Sequence, residues 1–212
     1  MSTTAKRHEK LVFMTEISML IAIEAIVCFT PLGSLPALGP IVATLSAIPV
    51  VIAALLMGTK SGAIVGFTFG LFSFIVWTFT PPSPLAFAFT PFYSLGEVQG
   101  NFFSLLICFV PRILIGVVTG ILAKALCITR LPQKVSFAIA GAAGSLVNTL
   151  LVLGGIYVFF GEQFAAVNET SFDLVLGILG MTVLTSGIPE AAIAAVIGFA
   201  TEPLKRIIEK KT

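Results

Sequence analysis

The sequence predicts an all-α integral membrane protein of six transmembrane helices with both termini in the cytoplasm. Three observations predict it. The 212 residues are 57% hydrophobic and only 10% charged, with a mean hydropathy of +1.08; a soluble domain carries about 25% charged residues. A chain this poor in charge cannot cover its surface with polar groups, so the lipid bilayer is its solvent. The apolar residues fall into six runs, roughly 11–30, 41–58, 62–79, 102–123, 136–160 and 174–201, most of them near the ~20 residues that a spanning helix needs. Finally, the basic residues alternate in step with the runs.

Each span has its own signature. The first follows a charged leader, "KRHEK", and is nearly the length of a bilayer crossing, so no cleavable signal peptide is expected. The second is short and contains Pro49; "TPLGSLPALGP" before it cannot be helical throughout. Only "GTKSG" separates spans two and three, whereas "TPPSPLAFAFTPFYSLGEVQGN", long, proline-rich and apolar for a loop, separates three and four. Pro111 lies inside span four, span five is rich in small residues, and span six is long, with Pro189 the expected place for a kink. The whole, 1–212, reads as a single membrane domain.

Lys6, Arg7, Lys10, Lys60, Lys124, Arg130, Lys134, Lys205, Arg206, Lys210 and Lys211 all fall on the side of the termini. The opposite loops carry Glu97, Glu162, Glu169 and Asp173. The excess of Lys and Arg marks the terminal side as cytoplasmic. The two long loops, after spans one and three, are then external, the place for a binding mouth and its lid.

Arg112 is the one basic residue outside that pattern. It lies about ten residues from the outer end of span four, roughly 15 Å deep at about 1.5 Å per residue. An arginine there costs at least ~2.5–3.5 kcal/mol on insertion scales, so it is expected to face the bundle interior and meet an acid, backbone carbonyls, water or an anionic ligand. Pro111 beside it frees a backbone carbonyl in the preceding turn. Asn148, mid-span five, is expected at similar depth. A guanidinium offers paired donors to a carboxylate, and an amide offers a donor and an acceptor; together they suit a small polar acid. Asn148 alternatively ties helices together among its small neighbours. Glu190, after Pro189, is the natural structural partner of Arg112. Glu24 lies about six residues from the outer end of span one by the same count. Ser18-x-x-x-Ala22, followed by Ala25, is a flat stripe for close helix packing, either against another protein or within the bundle.

The chemistry excluded is as informative. Cys28, Cys108 and Cys127 lie in apolar segments without metal-ligand spacing, and His8 is in the leader. There is no G-x-S-x-G elbow, Cys–His pair or metal cluster, and "GTKSG" fails the phosphate-loop spacing. The chain is expected to be no enzyme and to bind no cofactor or metal. The net charge of +2 gives no ground for a nucleic-acid partner.

The segments "PLG", "GPIVAT…IPVVI", "KSGAIVGFTFGL", "VPRILIG", "GAAGSLVNTLLVLGGIYVFF" and "GIPEAAIAAVI", in this order and spacing, resemble the substrate-binding (S) subunits of energy-coupling factor (ECF) vitamin transporters, most of all those specific for pantothenate. The resemblance covers nearly the whole chain. It implies an S-component bundle in a bacterial cytoplasmic membrane, vitamin capture from outside, and a motor of one transmembrane coupling subunit with two ATPases that use the ATP. It maps the family's two ligand-contacting residues onto Arg112 and Asn148, and its helix-one docking stripe onto Ser18, Ala22 and Ala25, with serine replacing the first alanine. The histidine usual before the Ile-Pro of span two is absent; the chain reads Ser46-Ala47-Ile48-Pro49. Thr44, Ser46, Trp77 and Tyr93 are placed by location to complete the ligand's wall, or else are ordinary interfacial residues. Another vitamin or precursor as ligand, or an autonomous ion-coupled carrier using Glu190 or Glu24, are the alternatives.

Overall fold

The computed structural model describes residues 3–30, 45–96 and 98–211. Among the described residues there are seven α-helices: α1 (Thr3–Phe29), α2 (Ala47–Met57), α3 (Thr59–Phe79), α4 (Phe102–Cys127), α5 (Gln133–Val167), α6 (Phe172–Thr182) and α7 (Ile188–Lys211). A π-helical turn, Val183–Gly187, joins α6 to α7. Five helical segments are long and apolar enough to cross a membrane, with Phe172–Ile207 counted as one; α2 is shorter. Residues 41–44 of the expected second span lie outside the described residues.

The departures from the expected spans have local causes. Span five, expected to stop at residue 160, continues to Val167, but the backbone breaks at Phe160, where φ is −136°. The expected kink of span six lies just before Pro189. Without an N–H, Pro189 cannot bond the Thr185 carbonyl, and the helix relaxes into a wider turn across Val183–Gly187.

Packing is tightest between α3 and α4, where backbone meets backbone. A Cβ on Gly62 would lie 2.9 Å from the Gly116 Cα, and one on Gly66 would overlap the Arg112 carbonyl oxygen. Gly62, Gly66 and Gly70 are four residues apart on α3, a stripe that lets helices approach closely in a lipid-embedded bundle. Sequence reading did not single it out. Between α2 and α3 the chain reverses at Gly58 (φ 92°), a conformation a β-carbon disfavours.

The loop after α3 is folded into the bundle. Ser83 accepts a hydrogen bond from the Leu85 N–H and starts a 3₁₀ turn, Pro84–Ala88. Residues 85–90 are all buried. A two-strand hairpin, β1 (Ser94–Leu95) and β2 (Val98–Gln99), leads to α4. Asn101 caps α4, accepting from the Phe103 N–H at 2.8 Å, while the Ser104 hydroxyl accepts from the Asn101 N–H and donates to the Phe87 carbonyl at 2.6 Å. The start of α4 and the buried loop are thereby fixed together over a core of Phe87, Phe89, Ile156, Phe160 and Phe164.

At the other end, Lys205 of α7 donates to the Leu55 carbonyl at 3.1 Å and lies over the Phe137 ring. Leu55 is in the last turn of α2, whose carbonyls lack helical partners. Lys205→Met is expected to cost about 1–2 kcal/mol, read as a fall of a few degrees in the unfolding temperature of the detergent-solubilised chain; an unchanged temperature would contradict the assignment.

Candidate substrate-binding site

Arg112 is the centre of the site. It is 7% exposed and held on three sides. Its Nη1 donates to the Ile107 carbonyl at 2.6 Å. That carbonyl lies four residues before Pro111, the one whose helical donor the proline removed. The helix defect and the arginine therefore satisfy each other. The guanidinium also lies over two aromatic rings, 5.7 Å from the Phe69 centroid and 5.1 Å from that of Phe89, an attraction worth about 0.5–2 kcal/mol each. Its Nε is buried with no hydrogen-bond partner.

Contacts between α4 and α5 fix the level of the next residue. A Cβ on Gly144 would meet Ile115 and Thr119, and one on Gly155 would meet Ile107. The helices run antiparallel, so Arg112 lies level with Asn148 and Thr149. Asn148 is half-buried, and its Oδ1 is a second polar atom without a partner. Thr149 abuts Gly187 of the π-helical turn, which brings that turn to the same level. Glu190, beyond the turn, is half-buried and near enough for its charge to act on Arg112.

From the α1 side, the Cys28 thiol donates to Glu24 Oε1 at 3.2 Å, and Ser46 lies near the same thiol. Ser46 is buried. Trp77 stacks on Phe89, centroids 4.5 Å apart, and is one ring removed from the guanidinium. Tyr93, half-buried, packs with Trp77 on the core that includes the loop after α3. Thr44 lies outside the described residues. On α1, Ser18 and Ala22 are exposed and Ala25 is half-buried, on the flank away from Leu20 and Glu24.

Two contributors escaped sequence reading. Phe69 follows Gly66 by three residues and shares its face of α3, a spacing visible in "GFTFGL". Phe89 belongs to a loop whose aromatic content was noted, but no periodicity marks which ring turns inward.

Arg112 and Asn148, level along α4 and α5, each carry a buried polar atom without a partner, the kind of group a candidate site for a small polar molecule needs. Residues 12–200 match the ECF transporter, substrate-specific component family. The chain belongs to that family. It is a transporter component, not an enzyme, a multi-pass protein of the cytoplasmic membrane, and it acts with the other components of an ECF transporter. It is 32% identical over 165 residues to the "Pantothenic acid transporter PanT" of Lactococcus lactis subsp. cremoris, covering 77% of this chain and 78% of that one.

Proposed function

We propose that this chain is the S subunit that captures pantothenate from outside the cell for an ECF importer. The observation that carries the reading is that Arg112 Nε and Asn148 Oδ1, on residues level along α4 and α5, are both buried and unpartnered. Pantothenate has a carboxylate to accept from the guanidinium, and an amide N–H and two hydroxyls to donate to the asparagine oxygen. The similarity to a pantothenic acid transporter points the same way. Trp77, Tyr93, Ser46 and Thr44 complete the wall in this reading, and Glu190 holds Arg112 from the far side.

The chain forms one membrane domain of six spans with cytoplasmic termini, the second of them containing α2. It binds no cofactor. ATP is spent by two ATPase subunits, coupled through a transmembrane partner that docks on the Ser18–Ala22–Ala25 side of α1. The loops after the first and third spans close over the vitamin, and the loaded subunit turns in the membrane to release it.

The test is binding of radiolabelled pantothenate to the purified chain against a panel of other labelled vitamins. Pantothenate alone is expected to bind, and Asn148→Ala to weaken it about ten-fold, the cost of one buried hydrogen bond. Binding of another vitamin in its place would overturn the substrate, and pantothenate uptake by the chain alone in liposomes under a proton gradient would overturn the dependence on partners.

A further inference from the structure

Glu24 has no role in the site as described so far. Its carboxyl is fully buried near the C-terminal end of α1, in the otherwise apolar stretch 21–29. A buried carboxyl in a membrane bundle is costly and marks a function more often than a scaffold. One oxygen, Oε1, is used by Cys28; the other, Oε2, is buried without any partner.

Two links connect it to the candidate site. Leu20, one turn earlier on the same face of α1, belongs to the packed cluster that includes Phe69, and the Phe69 ring faces the Arg112 guanidinium. Cys28, one turn later, bonds Glu24 and is near enough to Arg112 for the two to interact electrostatically. Glu24 is thus linked to Arg112 along two lines, through Leu20 and the cluster of Phe69 and through Cys28.

We infer that Glu24 Oε2 is the acceptor for a hydroxyl of the bound ligand, so that the site reads a molecule with an anionic end at Arg112 and a hydroxyl-bearing end at Glu24. The inference rests on the pantothenate reading and extends it. An oxygen buried without a donor is satisfied only when something supplies one. A ligand hydroxyl supplies it, and a ligand without that hydroxyl leaves the oxygen unpaired in a dry site. A site of that kind rejects the deoxy analogue more strongly than an apolar pocket rejects a missing methylene.

The experiment compares two probes, pantothenate and its analogue with both hydroxyls replaced by hydrogen, on the purified wild-type chain, Glu24→Gln and Glu24→Met. Wild type is expected to prefer pantothenate by at least about ten-fold. Glu24→Gln keeps an oxygen acceptor and is expected to keep the preference. Glu24→Met keeps the volume, loses the acceptor, and is expected to lose affinity for pantothenate while binding the analogue within about two-fold of wild type. Equal loss of both probes in Glu24→Met, or none, would overturn the role of Glu24 and leave the pantothenate reading standing. A wild-type chain that binds neither probe would overturn the pantothenate reading, and this inference with it. Should Glu24→Met not fold, infrared difference spectra decide. Pantothenate, and not the analogue, should shift a carboxyl band in wild type that is missing in Glu24→Gln; no such band would refute the contact.

Discussion

Arg112→Ala is expected to weaken pantothenate binding by about 30- to 1,000-fold, the 2–4 kcal/mol typical of removing one partner of a buried, charge-assisted hydrogen bond. Most of that loss belongs to the ligand's carboxylate, which would enter a low-dielectric site with no counter-charge. The rest belongs to the protein. The Ile107 carbonyl, already without its helical donor because of Pro111, would lose the Arg112 Nη1 as well. Arg112→Lys separates the two contributions. It restores the charge, but a single ammonium can neither present the planar fork to a carboxylate nor lie flat between Phe69 and Phe89. We expect it to recover at most about a tenth of wild-type affinity, near 1.4 kcal/mol short. Isothermal titration of the purified variants measures both. Wild-type affinity in Arg112→Ala would remove the arginine from the site.

The second large effect is expected at Gly66. Helix propensity alone favours replacing a mid-helix glycine by up to about 1 kcal/mol. Here the added β-carbon would overlap the carbonyl oxygen of Arg112 and press on the Ile113 Cα at 3.0 Å. A backbone atom cannot rotate out of the way as a side chain can, so α4 must move off α3. Gly66→Val is expected to destabilise the chain by at least about 1–3 kcal/mol and to weaken binding, because α4 carries the arginine with it. Gly154 is the control. Nothing lies within 4 Å of a Cβ placed there, and Gly154→Ala is expected to be neutral or mildly stabilising. Unfolding temperatures in one detergent decide the matter; equal shifts for the two variants would show that the α3–α4 seam is not specially tight.

These two residues also show what could be read from the sequence. Arg112 was conspicuous because a charge in an apolar run has few explanations, and Pro111 announced a free carbonyl whose taker is now identified. Asn148 was found by counting residues from a helix end, which works because helical rise is nearly constant. Gly66 was not found. In lipid both faces of a helix are apolar, so periodicity does not separate the face that meets a helix from the face that meets acyl chains. The same blindness hid Phe69. The buried loop after α3 was missed for another reason: its burial is created by the Asn101 cap and the Ser104–Phe87 hydrogen bond, which join segments 17 residues apart and have no local signal. The break at Phe160 coincided with the end assigned to span five because polar residues begin there, but the helix runs on to Val167, with Phe164 and Ala165 packed in the core.

Trp77 is the only tryptophan in the chain. It is stacked on Phe89, and Phe89 faces the guanidinium. Evolution has thereby left the protein with a built-in optical probe. Light absorbed selectively by indole is emitted from a single ring, one aromatic layer from the charge that a bound acid would neutralise. Loading of the subunit can be followed by intrinsic fluorescence without a label, in detergent or in bilayers, and beside partner subunits in which tryptophan is replaced.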